Sequence, residues 1–218
     1  MNHIQSAFAI AAIAATTSAL FVAGCANPSR SRDLANPQVK AIVIAQQVCS
    51  SCHGMTGVSG SPNFPTLAAQ MPEYLAAQLR EFRGHDRSDP AGFEYMWGLS
   101  RNLTDEQIKG LAAYYAQQAP AHPGPQGSDE RMATGDSIFH AGLPDKSVPA
   151  CASCHGDRGQ GVGAFPRIAG QHADYVVKQL VVFQRTDQRP AGAAMKIVAH
   201  GLSASDIENV AAYIQALQ

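Results

Sequence analysis

The sequence predicts an all-α protein built from two tandem domains, each a small helical bundle. Three observations predict it. The pattern Cys-x-x-Cys-His occurs twice, as Cys49-Ser50-Ser51-Cys52-His53 and Cys151-Ala152-Ser153-Cys154-His155. Around each copy, apolar residues recur at helical spacing in the same order, and a Pro- and Gly-rich stretch separates the two blocks. No run alternates apolar and polar residues for long enough to argue a sheet.

The repeated pentapeptide serves three bonds to one cofactor. Its two cysteines form thioethers with haem vinyl groups, while the adjoining histidine offers an imidazole to the iron. Cys49, Cys52, Cys151 and Cys154 are therefore expected to attach two haem c groups covalently, with His53 and His155 as axial ligands. A redox dithiol or half of a zinc site would also use Cys-x-x-Cys, but both copies carry the histidine and neither sits in a β-α-β pattern. Each half offers little material for a core, so haem supplies much of the buried apolar surface and the haem-free chain is expected to fold poorly.

At 218 residues the chain suits one large or two small domains, and the repeat decides for two. A net charge of −1 with 15% charged residues leaves no basic surface for nucleic acid. Residues 1–25 read as an export segment: Phe8 to Ala23 is apolar and uncharged, and Val22-Ala23-Gly24-Cys25 resembles a bacterial lipobox in which Cys25 is lipidated. Met1 to Ala7 lacks Lys and Arg, so an uncleaved membrane anchor and a plain cleaved signal stay open. Lipid or anchor would tether the protein to a membrane on the periplasmic side.

Residues 26–36 form a polar tether, and 37–118 the first domain. Val39, Ile42, Val43 and Val48 are spaced for a helix over Pro37 to Val48 that delivers Cys49; Asp129 to Ala141 is its counterpart. Pro144 and Pro149 exclude a continuous helix before Cys151. After each haem motif a Gly-rich loop ends in Phe64-Pro65-Thr66-Leu67-Ala68-Ala69-Gln70 or Phe165-Pro166-Arg167-Ile168-Ala169-Gly170-Gln171. Tyr74 to Phe82 and Tyr175 to Phe183 then place Tyr, Leu and Phe on one helical stripe. Each half closes on a helix opened by Thr104 or Ser203 as cap, running through Ala-Ala-Tyr; its small residues allow a close crossing with the N-terminal helix of the same half. Residues 119–129 are the linker and 130–218 the second domain.

The sixth iron position separates a carrier from a catalyst. Met55 lies too near His53 to reach the far face of a haem, and Met71 and Met132 have no methionine at the equivalent place. Met96 and Met195 do correspond, each preceding its helix-opening leucine by seven residues, and are expected as the second axial ligands. His85, His122, His140, His172 and His200 each lack a histidine partner in the other half and read as surface or core residues.

With these residues in place the chain resembles the dihaem cytochromes of the cytochrome c4 family over residues 37–218. The resemblance rests on C-x-x-C-H-G, F-P-x-[LI]-A-x-Q, Y-x-x-x-Q-L-x-x-F, a Met, and L-[ST]-x-x-[DQ]-I before A-A-Y, all occurring twice. It implies two class I cytochrome c domains related by an approximate twofold, with the haems close to the domain interface. It also implies that the carbonyls of Pro65 and Pro166 accept a hydrogen bond from His53 and His155. The family's N-terminal helix carries a glycine at its crossing with the last helix. Gly135 fits, but the first half has only Ala41 and Val43 there, so its crossing is expected to be looser. The tract holding Arg87 and Arg189 is partly kept, and both arginines are candidates to pair with haem propionates.

Two His/Met irons leave no substrate position, so the expected function is non-enzymatic electron transfer. The resemblance implies a redox partner on each side, a quinol-oxidising complex as donor and a haem-copper terminal oxidase as acceptor. The alternative is a dihaem dehydrogenase, or its electron-accepting subunit, acting on a small sulfur or alcohol substrate.

Overall fold

Helical periodicity in each half of the sequence becomes a separate group of packed helices, and among the described residues only isolated bridges occur, Leu143 with Val148 and Val162 with Phe165. The structure, a computed structural model, describes residues 31–125, 127–185 and 187–218. The export segment and Cys25 lie outside them. No helix among the described residues is long and apolar enough to cross a membrane.

The first helix, α1, starts at Ala41 rather than at Pro37. Asn36 competes with the helix: its side-chain oxygen accepts from Gln38 N at 2.9 Å and its carbonyl from Val39 N at 3.2 Å, which folds the chain into a turn. Gln107 holds that turn by donating to the carbonyls of Asn36 and Val39, both at 3.0 Å. From Ala41–Ile44, α1 passes through a π-helical turn, Ala45–Cys49, and ends as Ser50–His53. Pro72–Gly84 forms α2, with Pro72 in the first turn where its missing N–H costs nothing. The next helix, α3, runs Pro90–Gly92, Phe93–Trp97 as a second π turn, and Gly98–Ser100. Asp105–Ala116 is α4, opened by a complete capping box between Thr104 and Gln107.

The second half follows the same order: α5 (Asp129–Ala141), α6 (Ala152–His155), α7 (Ala173–Arg185), α8 (Ala193–His200) and α9 (Ala204–Ala216), the last opened by a Ser203–Asp206 capping box. Val39, Ile44, Leu75, Ile108 and Leu111 form the core of the first half; Ile138, Phe139, Leu180, Ile207 and Val210 form that of the second. In each half the N-terminal helix crosses the last one. At Gly135 an added Cβ would lie 2.3 Å from Asn209 O. The first half places its glycine on the opposite helix: a Cβ at Gly110 of α4 would lie 2.5 Å from Ala41 Cβ of α1 and 4.0 Å from its Cα. The first crossing is the looser of the two, as expected from Ala41 and Val43: its glycine meets a side-chain methyl, where Gly135 meets the Asn209 backbone. A crossing needs one small residue on either surface, and the two halves place it on different partners.

The halves are joined by reciprocal amide contacts. Gln171 accepts from Thr66 N at 2.9 Å and donates to Thr66 O at 3.0 Å. Gln70 accepts from Arg167 N at 2.8 Å and donates to Arg167 O at 2.7 Å. All four groups belong to the repeated Phe-Pro stretch, and each half supplies what the other receives. That reciprocity is the mark of an approximate twofold.

The glycine geometry makes a direct prediction. Gly135→Ala and Gly110→Ala should each lower the thermal midpoint of the haem-loaded protein, corresponding to about 1–3 kcal/mol of overpacking. Gly98→Ala, whose Cβ would meet nothing within 4 Å in a helix, should raise it slightly, by roughly 0.5–1 kcal/mol. Circular dichroism melts of the three variants check the contrast in sign.

Candidate haem sites

Each Cys-x-x-Cys-His motif ends a helix, and the helical spacing puts its two cysteines on one face. None of Cys49, Cys52, Cys151 and Cys154 is in a disulfide. Cys154 is exposed and the other three are half-buried, and burial pushes the Cys49 and Cys151 thiols up to about 11. Tyr115, buried in α4, reaches into this region and hydrogen-bonds Cys49.

Both motif histidines are buried, each 7% exposed. His53 Nδ1 lies 2.8 Å from Pro65 O, and His155 Nδ1 lies 2.8 Å from Pro166 O. A carbonyl can only accept, so Nδ1 carries the proton and Nε2 presents its lone pair. Burial lowers the proton affinity of both rings, against a smaller opposing effect of the proline carbonyls. The neutral imidazole with a free Nε2 is the form that ligates iron.

Met96 and Met195 lie on corresponding helices, α3 and α8, with different local geometry. Met96 sits inside the π turn Phe93–Trp97, a rare distortion concentrated at functional sites, whereas Met195 sits in ordinary α-helix against the second core. An edge-to-face chain, His53–Phe64 at 6.2 Å and Phe64–Tyr95 at 6.2 Å, links the first motif histidine to the residue beside Met96. Phe165 repeats the first contact on His155 at 6.3 Å. The other histidines occupy separate surroundings. His85 packs on Phe93 and Trp97, His172 Nε2 bonds Ser59 O, His140 bonds Asp136, and His122 lines a cavity of about 140 Å³ between the halves. His200 is exposed at the end of α8.

Arg87 and Arg189 are buried at the seam between the halves, 5% and 8% exposed, each over a phenylalanine, Phe82 or Phe183. Gln78 and Gln179, equivalent residues of α2 and α7, serve both. Arg87 donates to Gln78 at 2.6 Å and Gln179 at 3.3 Å; Arg189 donates to Gln179, to Gln78 at 3.0 Å and to Tyr74 at 3.2 Å. The charges are balanced unequally. Arg87 has a buried carboxylate, Asp89, at 2.6 Å, whereas Arg189 Nε and Arg167 Nη2 are buried and make no hydrogen bond among the described residues. Buried donors without acceptors suit an anionic group with spare oxygens, as a haem propionate has. With the two imidazoles presenting Nε2 and the paired thiols, they fit haem c.

Sequence reasoning missed Gln70, Gln171, Gln78, Gln179, Asp89 and Tyr115. A signal existed for the glutamines: both Ala-x-Gln and Tyr-x-x-x-Gln occur at equivalent places in the two halves.

Fold and site together define a two-domain all-α protein that carries two covalently bound haems. The cytochrome c family model matches residues 39–119 and 132–218. A cytochrome c4 of Thiocapsa roseopersicina is 39% identical over 179 residues, 79% of this chain and 88% of that protein. The solved cytochrome c4 of Acidithiobacillus ferrooxidans superposes with a TM-score of 0.72 at 37% identity, covering 78% of this chain and 98% of that one. A protein described as thiosulfate dehydrogenase electron acceptor, from Stutzerimonas stutzeri, is 32% identical over 78% of each chain. The chain belongs to the cytochrome c4 family of dihaem c-type cytochromes, as the duplicated motifs implied, and is an electron-transfer protein.

The seam charges carry a test. Asp89→Ala leaves the Arg87 charge buried and unpaired and should cost roughly 3–5 kcal/mol in denaturant unfolding of the haem-loaded protein. Replacing both partners, Arg87→Met with Asp89→Leu, should recover most of that loss.

Proposed function

We propose that this protein is a non-enzymatic electron carrier, exported to the periplasm and tethered to a membrane through Cys25 or an uncleaved anchor. It takes electrons from a quinol-oxidising complex and passes them to a haem-copper terminal oxidase. Haem bound at each motif supplies a reversible one-electron couple. The chain's own residues do the rest. Cys49 with Cys52, and Cys151 with Cys154, hold the macrocycle. His53 and His155 would give Nε2 to the iron while the Pro65 and Pro166 carbonyls fix their rings, and Met96 and Met195 would supply the second ligands. Arg189, and through it Gln78 and Gln179, orient a propionate at the seam. The supporting observation is the pair of 2.8 Å Nδ1 to carbonyl contacts, which fix the same imidazole ligand in both halves.

Saturated irons should not bind carbon monoxide rapidly when reduced. Fast stoichiometric binding by the purified protein would overturn the carrier reading. Met96→His and Met195→His should each lower the potential of one haem, because imidazole stabilises ferric iron better than a thioether. Each should also remove half of the weak sulfur-to-iron charge-transfer band of the oxidised protein. A second reading follows from the thiosulfate dehydrogenase electron acceptor among the relatives: the donor is a dehydrogenase of a small sulfur compound, with the same two haems as acceptors. Stopped-flow reduction by such an enzyme, compared with reduction by a quinol-oxidising complex, separates the two.

The tether has its own test. Cys25→Ala should leave the exported chain at precursor mass or release it in soluble form. Unchanged membrane retention at unchanged mass would assign the anchor to the uncleaved apolar segment.

A further inference from the structure

The two haem loops are tied down differently. In the first half, Tyr114 of α4 donates its hydroxyl to Met55 O at 2.8 Å, two residues past the haem histidine. In the second half the equivalent carbonyl, Asp157 O, is taken instead by His140 Nε2 at 3.0 Å. His140 Nδ1 lies 2.7 Å from Asp136 Oδ1, and Tyr213, the counterpart of Tyr114, turns to hydrogen-bond Asp136. The first loop is thus held by a phenol, and the second by an imidazole backed by a carboxylate.

Both partners of that imidazole are acceptors. A neutral ring has one N–H and would aim its other lone pair at an oxygen, so only the doubly protonated ring satisfies both contacts. We propose that His140, between Asp136 and the Asp157 carbonyl, is a proton-binding site that couples the reduction potential of the second haem to pH. The first haem, whose loop hangs on Tyr114, has no such coupling. With haem bound, the redox partner would supply the electron held on the iron, while a proton leaves hydronium, its O–H bond breaking, and forms the second N–H bond of the His140 ring. A positive charge on the loop leaving His155 favours the ferrous state, which carries less positive charge.

Three groups face His140: Asp136 on its own helix, Tyr213 on α9 and Asp157 through its backbone. The Arg131–Glu208 pair joins the same two helices, with Arg131 about two and a half turns before His140. Its proton affinity is raised, first by the Asp157 carbonyl and, against the opposing effect of burial, by Asp136. Tyr213 is pushed up to about 12 by burial and Asp136, while Asp136 is held low by Tyr213 and His140. His140 is therefore the imidazole of this set, its proton affinity raised, beside a phenol pushed up and a carboxylate held low. The ring is charged below its raised value, so the second haem has its higher potential on the acid side and loses it as pH rises through that value.

The test is potentiometric titration of the full dihaem protein across pH, with the His140 ring proton followed by NMR. One midpoint potential should fall as pH rises through the His140 titration while the other stays flat. His140→Gln should abolish the step, and Asp136→Asn, which keeps the ring, should move both the step and the NMR titration to lower pH. Tyr114→Phe should leave the pH dependence unchanged. The proposal is overturned if neither potential steps, if both step together, or if the step survives in His140→Gln. It also falls if Asp136→Asn shifts the NMR titration without shifting the step.

Discussion

The hydrogen bond from a buried imidazole Nδ1–H to a proline carbonyl, made once in each half, is the constraint around which the other elements are arranged. A ring that must present Nε2 in a fixed direction needs its opposite nitrogen anchored by a group that cannot move. Proline supplies one, because its ring fixes the local backbone and the flanking Gly-rich loop absorbs the turn. The helix ending in the motif, the loop, and the helix after Phe-Pro are spaced so that carbonyl and imidazole meet at the same 2.8 Å twice. The loop after each motif is then held from behind, in the first half by Tyr114 of the last helix and in the second by His140 of the N-terminal helix α5, backed by Asp136 and Tyr213.

Much of this was legible because it depends on local residue type. Cys-x-x-Cys-His, the Thr104 and Ser203 caps and the Tyr-Leu-Phe stripes encode their geometry over a few residues. The start of α1 was misplaced because Asn36 satisfies the backbone in a turn that helical periodicity does not register. Gly110 was missed at the first crossing because spacing on one helix says nothing of the surface facing it. The roles of Gln70, Gln171, Gln78 and Gln179 were invisible for a related reason. A polar residue at a helical or loop position looks solvated until the second domain is brought against it.

The seam is unusually polar for a permanent contact. Two guanidinium groups lie within it, and shared glutamine carbonyls and one carboxylate distribute their charge. Such groups are costly to bury, but their directional demands permit one orientation of the two halves, where an apolar seam would permit sliding. Orientation matters for electron transfer between fixed centres, since rate depends on the gap between them.

The reciprocal glutamine contacts hold only the peptide groups of Thr66 and Arg167, not their side chains. The equivalent positions of the two halves therefore carry residues as unlike as a threonine and an arginine without disturbing the join. A duplicated chain built this way is free to differ in surface chemistry between its halves while the backbone register of the join is retained. The grip is written in the backbone, and the specialisation of each half is left to the side chains.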